Sequence, residues 1–152
     1  MWKQIFKATL IVGCMDITAA SFQAWLIKGI TPDIVLKYIA SGGFGKDSFA
    51  GGTGVIVFGL PVHFFIAFAC TLVYFLLYPK LKLLRILILL NSLLIALSAW
   101  AVTTQVIVPL SKIKPVPFNL TKVLIAMAIL YWCIGLPVSF FAKRYYNNKA
   151  IL

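Results

Sequence analysis

Four stretches of this chain are apolar almost without a break, at about residues 8–27, 53–78, 86–110 and 123–142. Each meets the requirement of about 20 residues for a helix to cross about 30 Å of hydrocarbon. Asp16 is the one Asp, Glu, Lys or Arg inside any of them. The pattern predicts an all-α membrane protein: a four-helix transmembrane bundle forming a single domain over residues 1–152, since the connections are too short for a second core.

The longest connection has a pattern of its own. Thr31 is placed to cap a helix with Pro32 at its first position and Asp33 in its first turn, and Ile34, Val35, Tyr38 and Ile39 give it an apolar face. A short interfacial or re-entrant helix over about 32–41 follows, stopped by Gly42 and Gly43. Beyond it, S-G-G-F-G-K-D-S-F-A-G-G reads as a mobile segment, either a membrane-seated loop or a lid over a cavity, with Gly42, Gly43, Lys46 and Asp47 as the lid residues. A phosphate-loop reading fails, because Ala40 and Asp47 stand where that motif needs Gly and Ser or Thr, and no strand precedes it.

Within the spans, small and polar residues recur on one face of each helix. The first has Gly13, Asp16, Ala20, Gln23 and Ala24; the second Gly59, His63, Ala67, Cys70 and Tyr74; the third Asn91, Ser98 and Gln105; the fourth Ala128, Tyr131, Gly135 and Ser139. Lipid already solvates Leu, Ile, Val and Phe, so helices associate through small residues that allow close approach and polar ones that hydrogen-bond. The four stripes are therefore expected to converge on one axis. A carboxyl such as Asp16 costs about 2.5–3.5 kcal/mol on the insertion scale at a span centre, so it needs a partner or a proton. Counted along the helices, Asp16, His63 and Asn91 come to similar depths, and an intramembrane cluster of these three, with Gln23, Ser98 and Gln105 on the same stripes, is the expected site. Its residues serve either as helix-packing contacts or as a ligand or proton site. Pro61 and Pro137 are expected to kink their helices and free the carbonyls of Val57 and Cys133.

Composition agrees: 62% of the 152 residues are hydrophobic and 11% charged, too apolar for a soluble interior. The net charge of +11 sits on Lys and Arg beside the spans, as in loops facing anionic lipid. With no extramembrane fold to carry a basic patch, no nucleic-acid partner is expected. Eight basic residues (Lys3, Lys7, Lys80, Lys82, Arg85, Lys143, Arg144, Lys149) flank one side and six (Lys28, Lys37, Lys46, Lys112, Lys114, Lys122) the other, which favours both termini in the cytoplasm.

Cys14, Cys70 and Cys133 all lie in apolar runs, without metal-ligand spacing, and read as packed thiols. I-V-G-C at 11–14 looks like a lipoprotein cleavage box, but only about five apolar residues precede it, short of the usual 7–15 or so. The three acids are all Asp and there is one His, so the inventory assembles no paired carboxylates, metal site or haem ligation. No cofactor is expected and catalysis is disfavoured. The near-repeat of G-L-P-V-H-F-F at 59–65 as G-L-P-V-S-F-F at 135–141 falls at unequal depths and is read as coincidence.

The runs G-C-M-D-I-T-A-A, L-K-Y-I-A-S-G-G-F-G-K-D-S-F-A-G-G-T-G and G-L-P-V-H-F-F-I-A-F, with V-P-L-S and P-F-N-L later, resemble a family of small bacterial four-helix inner-membrane proteins of unknown function. The resemblance implies fold and location in the bacterial inner membrane, and no activity. The expected function is non-enzymatic binding of a partner protein or a lipid-like ligand within the bilayer. The alternative is a small oligomeric transporter or channel using the Asp16–His63 pair. Membrane lipids, a protein partner or further copies of the chain are the expected partners.

Overall fold

The computed structural model describes residues 1–80, 87–107, 109 and 119–150. The basic positions Lys82, Arg85, Lys112 and Lys114, the side chains of Lys46 and Lys149, and most of the V-P-L-S and P-F-N-L motifs lie outside the described residues. Among those described, every element is helical and no strand occurs. They are α1 (Trp2–Lys28), α2 (Pro32–Phe44), a 3₁₀ turn (Gly45–Phe49), α3 (Thr53–Leu77), α4 (Ile88–Val102), a π turn (Thr103–Ile107), α5 (Leu120–Leu130), a second π turn (Tyr131–Gly135) and α6 (Leu136–Ala150). Four helices are long and apolar enough to cross a membrane: Trp2–Lys28, Thr53–Leu77, Ile88–Gln105 and Leu120–Asn148. The chain is thus an all-α four-helix bundle of multi-pass type. Large apolar side chains face outward all round it, Phe65 at 70% exposure and Trp132 at 65%, which water would penalise and lipid tails do not.

Packing is densest at one end of the bundle. Ile5, Ala8 and Val12 of α1 meet Tyr74, Phe75 and Tyr78 at the end of α3, Ile95 of α4, and Val138 and Ala142 of α6. A proline shapes this end. The Phe75 carbonyl would accept from the N–H four residues on, but that residue is Pro79 and has none. The Tyr146 hydroxyl takes its place, donating to the Phe75 carbonyl oxygen at 2.7 Å. The Tyr146 ring also stacks on Tyr78 at 5.3 Å.

Two glycines allow backbones to touch. A Cβ on Gly59 would run into the backbone of Leu36 in α2, and one on Gly135 into the backbone of Ser92 in α4. The first seats α2 against α3; the second seats α4 against the fourth span, where Ser92 also reaches Ser139 at 3.4 Å. Gly135 ends a π turn that precedes Pro137 by two residues, so the expected distortion there takes the form of a widened turn rather than only a kink. Pro61 lies within a continuous α3.

The spans are not equally engaged. α1 packs on α3, on α2 and on the fourth span, and α4 packs on the fourth span, but α3 and α4 barely touch each other. A groove remains between them.

α2 departs from its expected limits. It runs through Gly42 and Gly43 to Phe44 and ends where Gly45 takes a positive φ of 68°. Two helical glycines cost only about 1 kcal/mol each, whereas a positive φ ends a helix outright. The segment after it is a 3₁₀ turn with Ser48 buried, not an open run of coil. Thr31 does occupy the N-cap position with extended backbone, but its hydroxyl makes no capping bond to the helix. It bonds the Asp33 side chain instead, holding that exposed carboxyl below the usual carboxylate range.

Candidate functional site

Above the dense end the helices part around a cavity of about 240 Å³, room for about eight waters at roughly 30 Å³ each. Every span contributes: Asp16, Ile17 and Ala20 from α1; His63, Ile66, Ala67 and Cys70 from α3; Ala99 and Val102 from α4 with Thr103; Leu130 and Ile134 from the fourth span. α2 covers it with Val35, Tyr38 and Ile39. Both π turns border this space, at Thr103 and Ile134, where the altered helical pitch displaces side chains from ordinary α-helical positions.

His63 follows from the sequence around it. It sits one helical turn from Gly59 on the buried face of α3, and Gly13 on α1 has no side chain to obstruct it. A Cβ at Gly13 would meet the Phe64 ring, so this glycine lets α1 and α3 come together at the depth of the site. His63 Nε2 lies 3.0 Å from the Gly13 carbonyl oxygen. A carbonyl only accepts, so Nε2 carries the hydrogen and donates, and Nδ1 is left with a lone pair in the neutral ring. Asp16 Oδ2 is 4.0 Å from the same Nε2, outside hydrogen-bond range. Asp16 therefore stands beside the histidine without taking its proton, 19% exposed and, among the described residues, with no hydrogen bond of its own. Tyr38 on α2, 37% exposed, presents a phenol whose pKa partial burial raises, so it stays protonated.

A second space adjoins the first. The groove between α3 and α4 holds about 480 Å³ and is lined by Ala69, Val73, Tyr74 and Leu77 on one side and Leu94, Ile95 and Ser98 on the other. Cys70, Ala99 and Val102 line both spaces and form the boundary between them. The Ser98 hydroxyl donates to the Leu94 carbonyl of its own helix at 2.8 Å, so the groove wall is effectively apolar.

The expected cluster is brought together only in part. Asp16 and His63 meet. Asn91 is buried in α4 but does not line the cavity; α4 reaches the cavity at Ala99, eight residues on, about 12 Å at 1.5 Å per residue. Asn91 lies instead at the level of Ser92, on the tightly packed face. Gln23 is half-buried two turns beyond Asp16 and also off the cavity wall. Ser98 faces the groove, and Gln105 is exposed in the π turn. The stripe at seven-residue spacing on the third span thus does not point to a common axis, and the buried face of α4 is Asn91, Ser92, Ile95, Ala96 and Ala99. Gly42, Gly43 and Asp47 are exposed at and beyond the end of α2 and do not line the cavity; its cover is the body of α2. Residues that sequence reasoning did not single out are Ala99, Val102 and Thr103, which carried no signal beyond small size and helical phase.

Among the described residues no group of three or more His, Cys, Asp or Glu is placed to hold a metal ion. Comparison with protein-family models, with curated proteins and with solved structures finds no match to this chain.

Proposed function

We propose that this protein is a non-enzymatic binding protein of the membrane that takes a lipid-like ligand from the bilayer, with the ligand's apolar chain between α3 and α4 and its polar end beside Asp16 and His63. The observation that carries this reading is continuity: Cys70, Ala99 and Val102 line both the apolar groove and the polar cavity. An amphiphile has the same two-part character. Together the two spaces fall within the range of about 300–1,000 Å³ common for small-molecule sites, which are mainly apolar with a few polar groups. The groove opens toward lipid, where such a ligand is dissolved, and α2 closes the cavity on another side. In this reading the membrane is the bacterial inner membrane, with both termini cytoplasmic.

A fatty alcohol carrying a diazirine in its chain, added to the reconstituted protein and photolysed, tests this directly. Labelling is expected within 69–77 of α3 and 94–102 of α4, and Val102→Trp, which fills the boundary between the two spaces, is expected to abolish it. Labelling spread evenly over lipid-facing residues such as Phe65 and Trp132, unchanged by Val102→Trp, overturns the reading. A dimer whose interface excludes the probe from the groove does so as well, in favour of a second copy as occupant.

A further inference from the structure

We infer that the polar end of this ligand is a protonated amine, so that the Asp16–His63 cavity is a site for cationic, hydrogen-bond-donating amphiphiles. The inference rests on the lipid-like-ligand reading above and specifies its head group.

An ionised Asp16 carboxylate only accepts, with lone pairs for several hydrogen bonds, and no described residue donates to it. The His63 Nε2 hydrogen is committed to the Gly13 carbonyl at 3.0 Å, and the neutral ring's other nitrogen accepts. Thr103 commits its hydroxyl hydrogen to the Ala99 carbonyl at 2.8 Å and keeps its lone pairs. Tyr38, also among the lining residues, carries a hydroxyl able to act in either sense. No Lys or Arg among the described residues lines the cavity or the groove. Among the described residues the space therefore offers lone pairs and, with Asp16 ionised, one formal negative charge, with few hydrogens to give.

Such a set discriminates among head groups. A carboxylate or phosphate would bring a like charge to Asp16 and find almost no donors. An alcohol would bring one hydrogen and leave the carboxylate largely unpaired. An ammonium brings three hydrogens and the opposite charge. Because charges away from water are tolerated only when paired and hydrogen-bonded, the same low-polarity surroundings that make a lone Asp16 costly make its pairing with a cation selective. The alkyl chain then leaves past Cys70 and Val102 into the groove.

The test is binding of tritiated decylammonium to the full chain in phosphatidylcholine nanodiscs, with empty nanodiscs subtracting simple partition, and decanol and decanoate as competitors. Wild type is expected to bind decylammonium saturably, near one per chain, with little competition from decanoate. Asp16→Asn, close to isosteric, is expected to weaken it about tenfold or more, the scale of one lost charge-assisted hydrogen bond, while eluting and melting like wild type. Should Asp16→Asn fail to fold, His63→Gln and the competitor ranking carry the same decision: equal competition by decanoate overturns the inference. Undiminished decylammonium affinity in a folded Asp16→Asn overturns it too. Saturable decanol or decanoate binding that Val102→Trp removes would keep the lipid-like reading and reject the amine. No saturable binding of any of the three, together with failed diazirine labelling, rejects both.

Discussion

Gly59→Ala isolates the contact that holds the cover of the cavity in place. The added Cβ would meet the carbonyl oxygen, carbonyl carbon and Cα of Leu36, all backbone atoms that cannot rotate away, so α2 has to move. Overpacking of this kind costs about 1–3 kcal/mol. Alanine also favours an α-helix over glycine by about 1 kcal/mol, which offsets part of the loss within α3. The net change in global stability is therefore about 0–2 kcal/mol, and the sharper signature is local. Amide hydrogen exchange across Pro32–Phe44 is expected to accelerate by up to about thirtyfold, while amides in the dense end around Val12 and Phe75 keep their protection. Gly54→Ala is the control, since nothing lies within 4 Å of a Cβ there. It gains helix preference without a clash and is expected to melt at or above wild type. If Gly59→Ala matches Gly54→Ala in melting and leaves α2 exchange unchanged, α2 is not seated on Gly59 and its role as cover fails.

Tyr146→Phe removes the hydroxyl that stands in for the missing Pro79 N–H at the Phe75 carbonyl, and is expected to lower stability by about 1 kcal/mol in a detergent melt, with the Tyr78 ring contact retained. No change would mean that the Phe75 carbonyl is satisfied otherwise. Asp16→Asn is expected to leave folding largely intact, whereas Asp16→Leu deprives the cavity wall of its polar group beside His63 and lowers the melting temperature; identical melting of both and wild type would remove Asp16 from the structural account. At the start of α2, the Asp33 carboxyl is held below its ordinary range by the Thr31 hydroxyl, so its contribution is present above the unfolded-state value and fades as pH falls through the lower folded-state value. Thr31→Val should move the Asp33 titration upward in a carboxyl-carbon NMR experiment, and an unmoved titration would contradict the hydrogen bond.

Much of this architecture is written in the chain. Hydropathy alone locates four spans, because about 20 apolar residues in a row have few other uses. The helices then run past the apolar stretches: α1 begins at Trp2 and takes in Lys3 and Lys7, whose long side chains can carry their charge to the interface while the backbone stays helical. Asp16 and His63 were legible as a pair because both lie on the small-residue face of adjacent antiparallel helices, where depth can be counted from a shared end. Asn91 is not, because its helix enters from the opposite face and shares no end with theirs from which to count, and α4 meets the cavity two turns later. Ser98 lies off the cavity for another reason. A serine bonded to its own helix backbone can face an apolar groove cheaply, so hydroxyl position alone does not mark an interior. The groove itself left no trace in the sequence: it exists because α3 and α4 barely touch, and a missing contact has no motif.

The central claim, that the bundle carries a bilayer-derived amphiphile across two continuous spaces, is tested most directly by native mass spectrometry of the full chain after gentle extraction, beside Val102→Trp prepared identically. The account predicts one small amphiphile retained per chain through detergent exchange in wild type and lost from Val102→Trp. A wild-type chain stripped to its bare mass under the same conditions, or an adduct that Val102→Trp retains equally, would contradict it.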